Sequence, residues 1–182
     1  MNELFHKFPY LESKRVIIKK LMPEDASALK VFTRNKNIYR YTPTFLPKLQ
    51  HTDTDRLIDI VCEDLFREKI EILMGVYLKG DNNRFCGITE IYHCENQHVS
   101  IGLRLDESVW GQEVAVEATK LLTDYLLEQT DVKTVYASCM TDNLASGKAL
   151  KKSGFVKIAQ NMKHDWGRGK DVFVDKWCIE KP

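Results

Sequence analysis

The chain has 182 residues, of which 43% are hydrophobic, and this size and composition suit one domain with a sizeable core. Its 27 basic and 26 acidic side chains almost cancel, and the formal charge of +1 argues against a nucleic-acid-binding or anionic-membrane-binding protein. The sequence has no apolar run long enough to cross a bilayer and no charged-then-apolar leader, so we expect a cytoplasmic protein with a single domain over residues 1–182.

The first third of the chain predicts a strand followed by two helices. A β-branched run at residues 16–18 favours a strand after a short N-terminal arm. Pro23 in a first turn, with acidic neighbours beside the positive end of the helix dipole, favours a helix that begins there. Residues 38–51 contain two prolines and predict a loop, and residues 52–55 have the pattern of a capping box ahead of a second helix.

Three strand-like runs come next, at residues 71–78, 85–92 and 99–105. The connections between them are short and rich in turn-forming residues. Strands joined by such short connections pair antiparallel, so this region predicts a three-stranded meander.

Cysteine usage predicts free thiols. The number of cysteines is odd and no Cys-x-x-Cys pair occurs, which argues against disulfides and against a zinc site. His93, Cys94 and His98 lie close together, but they fall on the predicted turn before the third strand and have no fourth ligand nearby. We therefore interpret them as a solvated turn and expect no metal. The cysteines are Cys62, Cys86, Cys94, Cys139 and Cys178.

Residues 108–118 join the third strand to a long amphipathic helix. Ala115, Ala118, Leu122 and Tyr125 recur at helical spacing after the junction. The first amides of a helix have no partner within it, and the helix dipole reinforces them, so such a junction suits a phosphate group. By itself the pattern fits a strand, turn and helix without a ligand equally well.

A second junction follows, and the chain ends in strands. Residues 134–140 predict a strand, and residues 142–155 give a capping residue, a short helix and a terminating glycine. Residues 156–159 and 172–179 predict two last strands, separated by a polar segment. We therefore expect an α/β (α+β) fold with a mixed, mostly antiparallel, twisted sheet of six or seven strands and helices on both faces. The cleft should open where the strands that end at Leu105 and near Met140 splay apart, because both lead into helix starts there.

The two junctions resemble the acyl-CoA-binding core of the GNAT acetyltransferase superfamily. The segment from Trp110 to Ala115 lies over the pyrophosphate-binding loop of that family, and Asn143 and Ser146 lie over its second motif. The opening segment, with Phe8-Pro9-x-Leu11-Glu12, resembles the ribosomal-protein N-acetyltransferase (RimJ/RimL-like) branch. The resemblance spans nearly the whole chain and implies a GNAT-like fold and an acetyl-CoA-dependent N-acetyltransferase.

The resemblance also implies where the co-substrate acetyl-CoA binds. Amides of the first junction would hold the pyrophosphate, the edge of the splayed strand would pair with the pantetheine arm, and Asn143 would offer its amide to that arm. Lys148, Lys151 and Lys152 offer charge to the ribose phosphate, although most of them fit a solvated helix face. The cofactor-binding candidates are Leu103, Arg104, Leu105, Gly111, Gln112, Glu113, Val114, Ala115, Asn143, Ser146 and Lys152.

Three departures from the family bear on the pyrophosphate loop charge and on catalysis. Glu113 stands where family members usually carry glycine, and we infer that its side chain points outward while its N–H points into the loop. Leu150 stands where many relatives place a tyrosine that protonates the leaving thiolate, so Ser146 takes that role unless it is only a locally satisfied helix-start serine. Ser100 stands where relatives often place a glutamate base, so we expect Glu90 on the neighbouring strand to act instead, with His164 or Asp165 as alternatives.

The acceptor is expected to be an amine of low pKa. A lysine side chain with a pKa of about 10.4 must give up roughly 4.6 kcal/mol to be neutral at pH 7, whereas an α-amine at about 7.7 needs only around 1 kcal/mol. A weak or water-mediated base therefore favours a protein or peptide N-terminus, or a small amine. The resemblance places Tyr39, Tyr41 and Phe45 near this substrate, although these aromatic residues fit a role in packing the loop as well. We expect a monomer or a homodimer.

Two other functions compete with this interpretation. A protein of the same fold could bind CoA, or have lost it, and serve as a regulatory or interaction module, which the three departures favour. A nucleotide-binding α/β domain is the weaker alternative, because neither Gly-x-Gly-x-x-Gly nor a P-loop lysine motif is present.

Overall fold

The computed structural model describes residues 2–41, 58–80, 82–165 and 171–181. They form one sheet of eight strands in the order β1-β2-β3-β4-β5-β6-β8-β7. Every neighbouring pair is antiparallel except β5 and β6, which are parallel. The strands are β1 (Leu11–Glu12), β2 (Val16–Lys19), β3 (Glu71–Leu78), β4 (Arg84–Glu95), β5 (His98–Leu105), β6 (Thr134–Met140), β7 (Val156–Asp165) and β8 (Asp171–Glu180).

The described helices cover both faces of this sheet. They are α1 (Ala26–Arg34), α2 (Leu65–Arg67), α3 (Val114–Gln129) and α4 (Leu144–Lys152). A turn of π-helix (Asp59–Asp64) leads into α2, and a short 3-10 turn (Lys36–Tyr39) follows α1. The predicted fold class, the antiparallel meander and the helices after Pro23 and after both junctions are confirmed.

The sheet differs from the prediction in three details. It has eight strands rather than six or seven, partly because the chain reverses at Ser13, whose N–H donates to the carbonyl of Val16 (2.9 Å), and so makes β1 and β2 from one predicted strand. β4 runs through the predicted turn to Glu95, with a register shift near His93, whose φ is +50°. β7 continues to Asp165 through residues predicted as a polar segment. The predicted capping box at residues 52–55 lies outside the described residues.

Side chains alternate along the central strands between two cores. Val99, Ile101 and Leu105 of β5 belong to the larger cluster, together with the buried face of α3. Ile88 of β4 belongs to the smaller cluster on the other face, together with Phe32 of α1. The two faces of the sheet are therefore packed separately, one against α3 and α4 and the other against α1 and its 3-10 turn.

The central pair of strands separates toward its C-terminal end. β5 and β6 pair over four positions only, from His98 opposite Thr134 to Ile101 opposite Ala137. Beyond that point β5 stays with β4 as far as Leu105, and β6 stays with β8 as far as Met140. The sheet thus opens into a cleft at the ends of β5 and β6, where the sequence predicted it.

All five cysteines are free thiols, as expected. No described helix combines the length and the apolar character that a membrane span requires. Within the described ranges, no group of three or more His, Cys, Asp or Glu side chains is placed to hold a metal ion.

Candidate active site

The loop between β5 and α3 is held in shape by its own side chains. The Asp106 carboxylate accepts a hydrogen bond from the amide of Ser108 (2.9 Å), and the Gln112 side chain donates to the carbonyl of Ser108 (2.7 Å). The indole N–H of Trp110 donates to the carbonyl of Leu105 (2.9 Å), which ties the loop to the end of β5. Hydrogen bonds within the chain therefore hold the loop in this conformation without a ligand.

Two residues of this loop have left-handed backbone conformations. Gly111 has φ +72° with open space where a side chain would project, and Glu113 has φ +64°. The first bond of α3 runs from the amide of Glu117 to the carbonyl of Glu113 (3.0 Å). The amides of Val114 and Ala115 precede that bond, so they have no acceptor within the helix and add to its positive dipole end. The arrangement suits an anionic group such as a phosphate.

The Glu113 side chain is exposed and forms an ion pair. Its carboxylate pairs with the ammonium group of Lys152 on α4 (2.5 Å), and both side chains are more than half exposed, at 54% and 59%. The two candidates therefore lie together, as a solvated ion pair that links the start of α3 to the end of α4.

Arg15 also holds the loop, although sequence reasoning missed it. Its guanidinium donates to the carbonyl of Gln112 (3.0 Å) and pairs with the Glu117 carboxylate (2.7 Å). Partial burial acts to raise the pKa of Glu117, but hydrogen bonds from Ser13 and Arg15 outweigh it, so that this pKa lies below its usual value. Arg15 and Glu117 are 102 positions apart, and no local pattern connects them.

Asn143 and Ser146 lie together at the start of α4. The side-chain oxygen of Asn143 accepts a hydrogen bond from the amide of Ser146 (3.2 Å) and so caps the helix, which leaves the amide NH₂ as a donor. Ser146 is also close to Cys139 at the end of β6: burial raises the pKa of the Cys139 thiol, and the nearby Trp177 and Ser146 side chains act against that rise. Both candidates are thus beside the splayed end of β6.

A buried ion pair lies on the opposite face of β4 and β5. Arg104 Nη1 donates to Oε1 of Glu90 (2.8 Å), and only about a tenth of either side chain is exposed. Glu90 stands opposite Gly102 in the β4–β5 register, and a Cβ at residue 102 would overlap the Glu90 carboxylate. The missing side chain of Gly102 therefore lets the carboxylate lie across β5. The Arg104 side chain is thus engaged by Glu90 on this face.

Tyr39 contributes a buried hydroxyl on this same face. The residue is 6% exposed, and its hydroxyl has no hydrogen-bond partner in the described part of the chain. Burial raises the pKa of Tyr39 to about 12, and the positive charge of Arg104 acts against that rise. Tyr41 is partly exposed, with the Arg40 guanidinium 5.2 Å from its ring centroid. Phe45 lies outside the described residues.

The remaining candidates lie elsewhere. His164 and Asp165 are on β7 at the edge of the sheet, with β8 and β6 between them and β5. Lys148 and Lys151 line a cavity of about 240 Å³ between α4 and β8, which Asn143 also lines. The structure therefore brings together two groups, one around the start of α3 and α4 and one around Glu90.

Comparisons with known proteins agree on one family. A sequence model described as an acetyltransferase (GNAT) domain matches residues 15–156. The uncharacterised N-acetyltransferase YoaA of Bacillus subtilis strain 168 is 24% identical over 177 residues, covering 96% of this chain and 98% of its own length.

Two solved structures share the fold over nearly the whole chain. RimL, a ribosomal L7/L12 alpha-N-protein acetyltransferase in complex with coenzyme A, superposes with a TM-score of 0.78 at 17% identity, covering 94% of this chain and 98% of its own. The spermidine N-acetyltransferase from Vibrio cholerae, in complex with CoA and spermine, gives 0.77 at 14% identity, covering 93% and 97%.

Proposed function

The chain belongs to the GNAT acetyltransferase family and is an N-acetyltransferase, and we propose that it moves an acetyl group from acetyl-CoA directly to an amine. The observation that carries this proposal is that α3, whose first amides have no partner within the helix, begins after the end of β5, while the capped start of α4 follows the end of β6, where these two strands separate. No cysteine stands in either junction, so direct transfer within a ternary complex is favoured over a covalent acyl-enzyme.

Acetyl-CoA would bind across the cleft between β5 and β6. The diphosphate would take the amides of residues 111–115, and Lys152 would exchange its Glu113 partner for a phosphate. The pantetheine arm would add to the free edge of β5 near Leu103, because the carbonyl of Leu105 is already bonded to Trp110. The Asn143 NH₂ group would donate to the same arm. The bound states of RimL and the spermidine enzyme, both solved with CoA, support this donor.

Transfer would form a carbon–nitrogen bond and break the thioester. The neutral amine nitrogen attacks the acetyl carbonyl carbon, and a backbone amide at the end of β5 stabilises the oxyanion. As the intermediate collapses, the nitrogen loses a proton to Glu90 and the carbon–sulfur bond breaks. The thiolate takes a proton from the Ser146 hydroxyl, and solvent restores the proton of Ser146 and removes that of Glu90.

Glu90 is the base that the geometry supports best. Its carboxylate reaches over Gly102, two residues from Ser100, where relatives often carry a glutamate on the strand itself. Oε1 is engaged by Arg104, while Oε2 accepts no hydrogen bond from a described residue. The base would therefore be supplied by β4 and delivered to the same place on β5.

The acceptor would be an amine that reaches the face of the sheet bearing Glu90. RimL acts on a protein α-amine and the Vibrio cholerae enzyme on spermidine, so the family accommodates both a peptide N-terminus and a small polyamine. We propose one of these two classes, a peptide N-terminal α-amine or a small amine, as the acceptor of this chain.

Thiol release from acetyl-CoA tests the proposed function. Purified protein is incubated with acetyl-CoA and a panel of peptides, amino-acid amides and polyamines, and free thiol is measured against reactions without acceptor. Acceptor-dependent release, with the acetylated amine detected by mass spectrometry, is the expected result. Release that never exceeds the acceptor-free rate would contradict it.

A CoA-binding module without catalysis is the second candidate. The observation that favours it is the half-exposed carboxylate of Glu113 beside the loop amides, because a negative charge there opposes a diphosphate. Protection of the fold by CoA with no thiol release from any acceptor would support the module. Acceptor-dependent release would exclude it.

A further inference from the structure

We infer that Arg104 is a positioning residue for the general base, because its guanidinium holds the Glu90 carboxylate in place across β5 and in its charged form. This inference rests on the proposed function, in which Glu90 takes the proton of the acceptor amine. It goes beyond that proposal in giving the Arg104 side chain a part in catalysis, which it performs through Glu90 and without touching the reacting atoms.

The first observation is a close contact between two buried charges. Arg104 Nη1 donates to Oε1 of Glu90 over 2.8 Å, and the two side chains are 9% and 10% exposed. Burial by itself disfavours the charged form of a carboxylate, whereas an opposite charge in direct contact favours it. A carboxylate must be charged to accept a proton, so the guanidinium supplies a condition that the buried position alone does not give.

The second observation is the place of this contact in the sheet. Glu90 stands opposite Gly102 and Arg104 stands opposite Ile88, so that Arg104 is a diagonal neighbour of Glu90 on the same face of β4 and β5. A Cβ at residue 102 would overlap Oε1 of Glu90, the oxygen that Arg104 engages. The bare backbone of Gly102 and the guanidinium of Arg104 thus fix the same oxygen, and Oε2 is left for the amine.

The third observation is that other titratable groups on this face are neutral. Tyr92 follows Glu90 on β4, Tyr39 is on the 3-10 turn, and Cys62 is on the π-helical turn. Burial raises the pKa of each to about 12, and in Tyr92 the charge of Glu90 adds to that rise while Arg104 opposes it. All three groups therefore keep their protons near neutral pH and bring no charge to Glu90.

A second carboxylate lies on the same face. Glu71 on β3 is a diagonal neighbour of Glu90 in the β3–β4 register, and a like charge disfavours ionisation. Lys20, which is about one-third exposed, is paired with Glu63. Among the described residues, Arg104 is thus the cation in direct contact with Glu90, and it offsets both burial and the charge of Glu71.

Two substitutions separate the charge of Arg104 from its bulk. Arg104→Lys keeps a positive charge, whereas Arg104→Met keeps a stem of similar length without charge or donor. The kcat is measured from acidic to alkaline pH with saturating acetyl-CoA and one acceptor amine, whose own titration contributes equally to every profile. We expect Arg104→Met to move the acid limb of kcat to higher pH by about 1 unit or more, and Arg104→Lys to keep it within about half a unit.

A double variant shows whether Arg104 acts through Glu90. If it does, Glu90→Gln combined with Arg104→Met should have the kcat of Glu90→Gln within about twofold, because the group that Arg104 holds is already absent. The double variant replaces both members of the buried pair and leaves no uncompensated charge, so it tests the inference even where Arg104→Met alone does not fold. Melting temperature and calorimetry with CoA report on the fold and the cofactor site of every variant.

Arg67→Met is the matched control, since it removes an exposed arginine that is paired with Asp64 on the π-helical turn, and its pH profile should be that of the wild type. An acid limb that Arg104→Met leaves in place, an equal shift in Arg104→Lys, or a double variant far below Glu90→Gln would overturn the inference. Wild-type kcat in Glu90→Gln would remove this inference and leave the N-acetyltransferase. Acetylation of no amine at all would instead remove the proposed function.

Discussion

At residue 113 the backbone adopts φ +64°, a conformation that glycine adopts without strain and in which a glutamate is strained. The side chain nevertheless points outward and pairs with Lys152. The sequence predicted this orientation from a simple physical conflict between a carboxylate and a diphosphate. The pairing of Glu113 with Lys152 could not be predicted from the sequence, because the contact joins residues 39 positions apart.

Glu113→Gly should improve the binding of acetyl-CoA or leave it unchanged. The change removes a negative charge near the diphosphate and relieves about 1 kcal/mol of backbone strain. Glu113→Gln is the matched control, since it removes the charge and keeps the strained side chain. Titration calorimetry with CoA measures the affinity, and a large loss in the glycine variant would mean that the loop does not hold the diphosphate.

Glu90→Gln should lower kcat by about 10² or more without weakening CoA binding, since a general base contributes in this range. Glutamine keeps an oxygen that can accept from Arg104, so the pair of strands should stay folded. Steady-state thiol release gives kcat, and calorimetry with CoA reports whether the cofactor site is intact. If Glu90→Gln kept the kcat of the wild type, Glu90 would not be the general base and another group would have that role.

At the scale of elements, the two junctions were predictable because their signals are local. A strand, a cap and an apolar stripe at helical spacing lie within a dozen residues of one another, as they do from Asn143 to Phe155. The clamp of Arg15 on Glu117 could not be predicted, because it is made only when β2 packs against the start of α3. The extensions of β4 to Glu95 and of β7 to Asp165 were also missed, since asparagine, glutamine and histidine at bulges look like turn residues in a sequence.

The clamp of Arg15 on Glu117 should make the free energy of unfolding depend on pH in the acidic range. The pKa of Glu117 is depressed in the folded protein, so its contribution is present above the unfolded value near 4.5 and is lost as pH falls through the lower folded value. We expect the stability difference between wild type and Glu117→Gln to be largest near neutral pH and to shrink below pH about 4.5. Urea denaturation across this range measures it.

A matched comparison identifies the clamp as the cause. Glu128→Gln removes a carboxylate from the exposed C-terminal turn of the same helix, so its effect on stability should be small and should vary little over the acidic range. A difference for Glu117→Gln that stays constant with pH would show that the carboxylate is not held by charge in the folded state.

At the scale of the whole molecule, the residues proposed to bind the cofactor and those proposed to act on the acceptor lie on opposite faces of the sheet. The cofactor candidates surround α3 and α4 on one face, and Glu90 with Tyr39 lies on the other. The cleft between β5 and β6 is the opening in the sheet that connects the two faces. The alternation of side chains along β4 and β5 is what separates them.

Acetyl-CoA should therefore stabilise the fold as a unit. At 100 times its Kd, a ligand that binds only the folded state adds about 2.7 kcal/mol, which for a chain of this size corresponds to about 5 to 10 °C in Tm. Pantetheine lacks the diphosphate and should give a much smaller shift at the same concentration. Equal shifts from the two compounds would place the binding energy away from the amides that precede α3.

The short parallel pairing of β5 with β6 has a further consequence for the protein without its donor. Among the described residues, four residue pairs and the bonds from the amides of Lys133 and Thr134 to the carbonyl of Gln97 join the first five strands to the last three. A donor whose amide groups bridge the gap would act as a ninth strand, so a backbone ladder would continue past Ile101 and Ala137 only while a substrate is in place. Each turnover would then interrupt that ladder. The folded enzyme would be least stable between the release of CoA and the binding of the next acetyl-CoA.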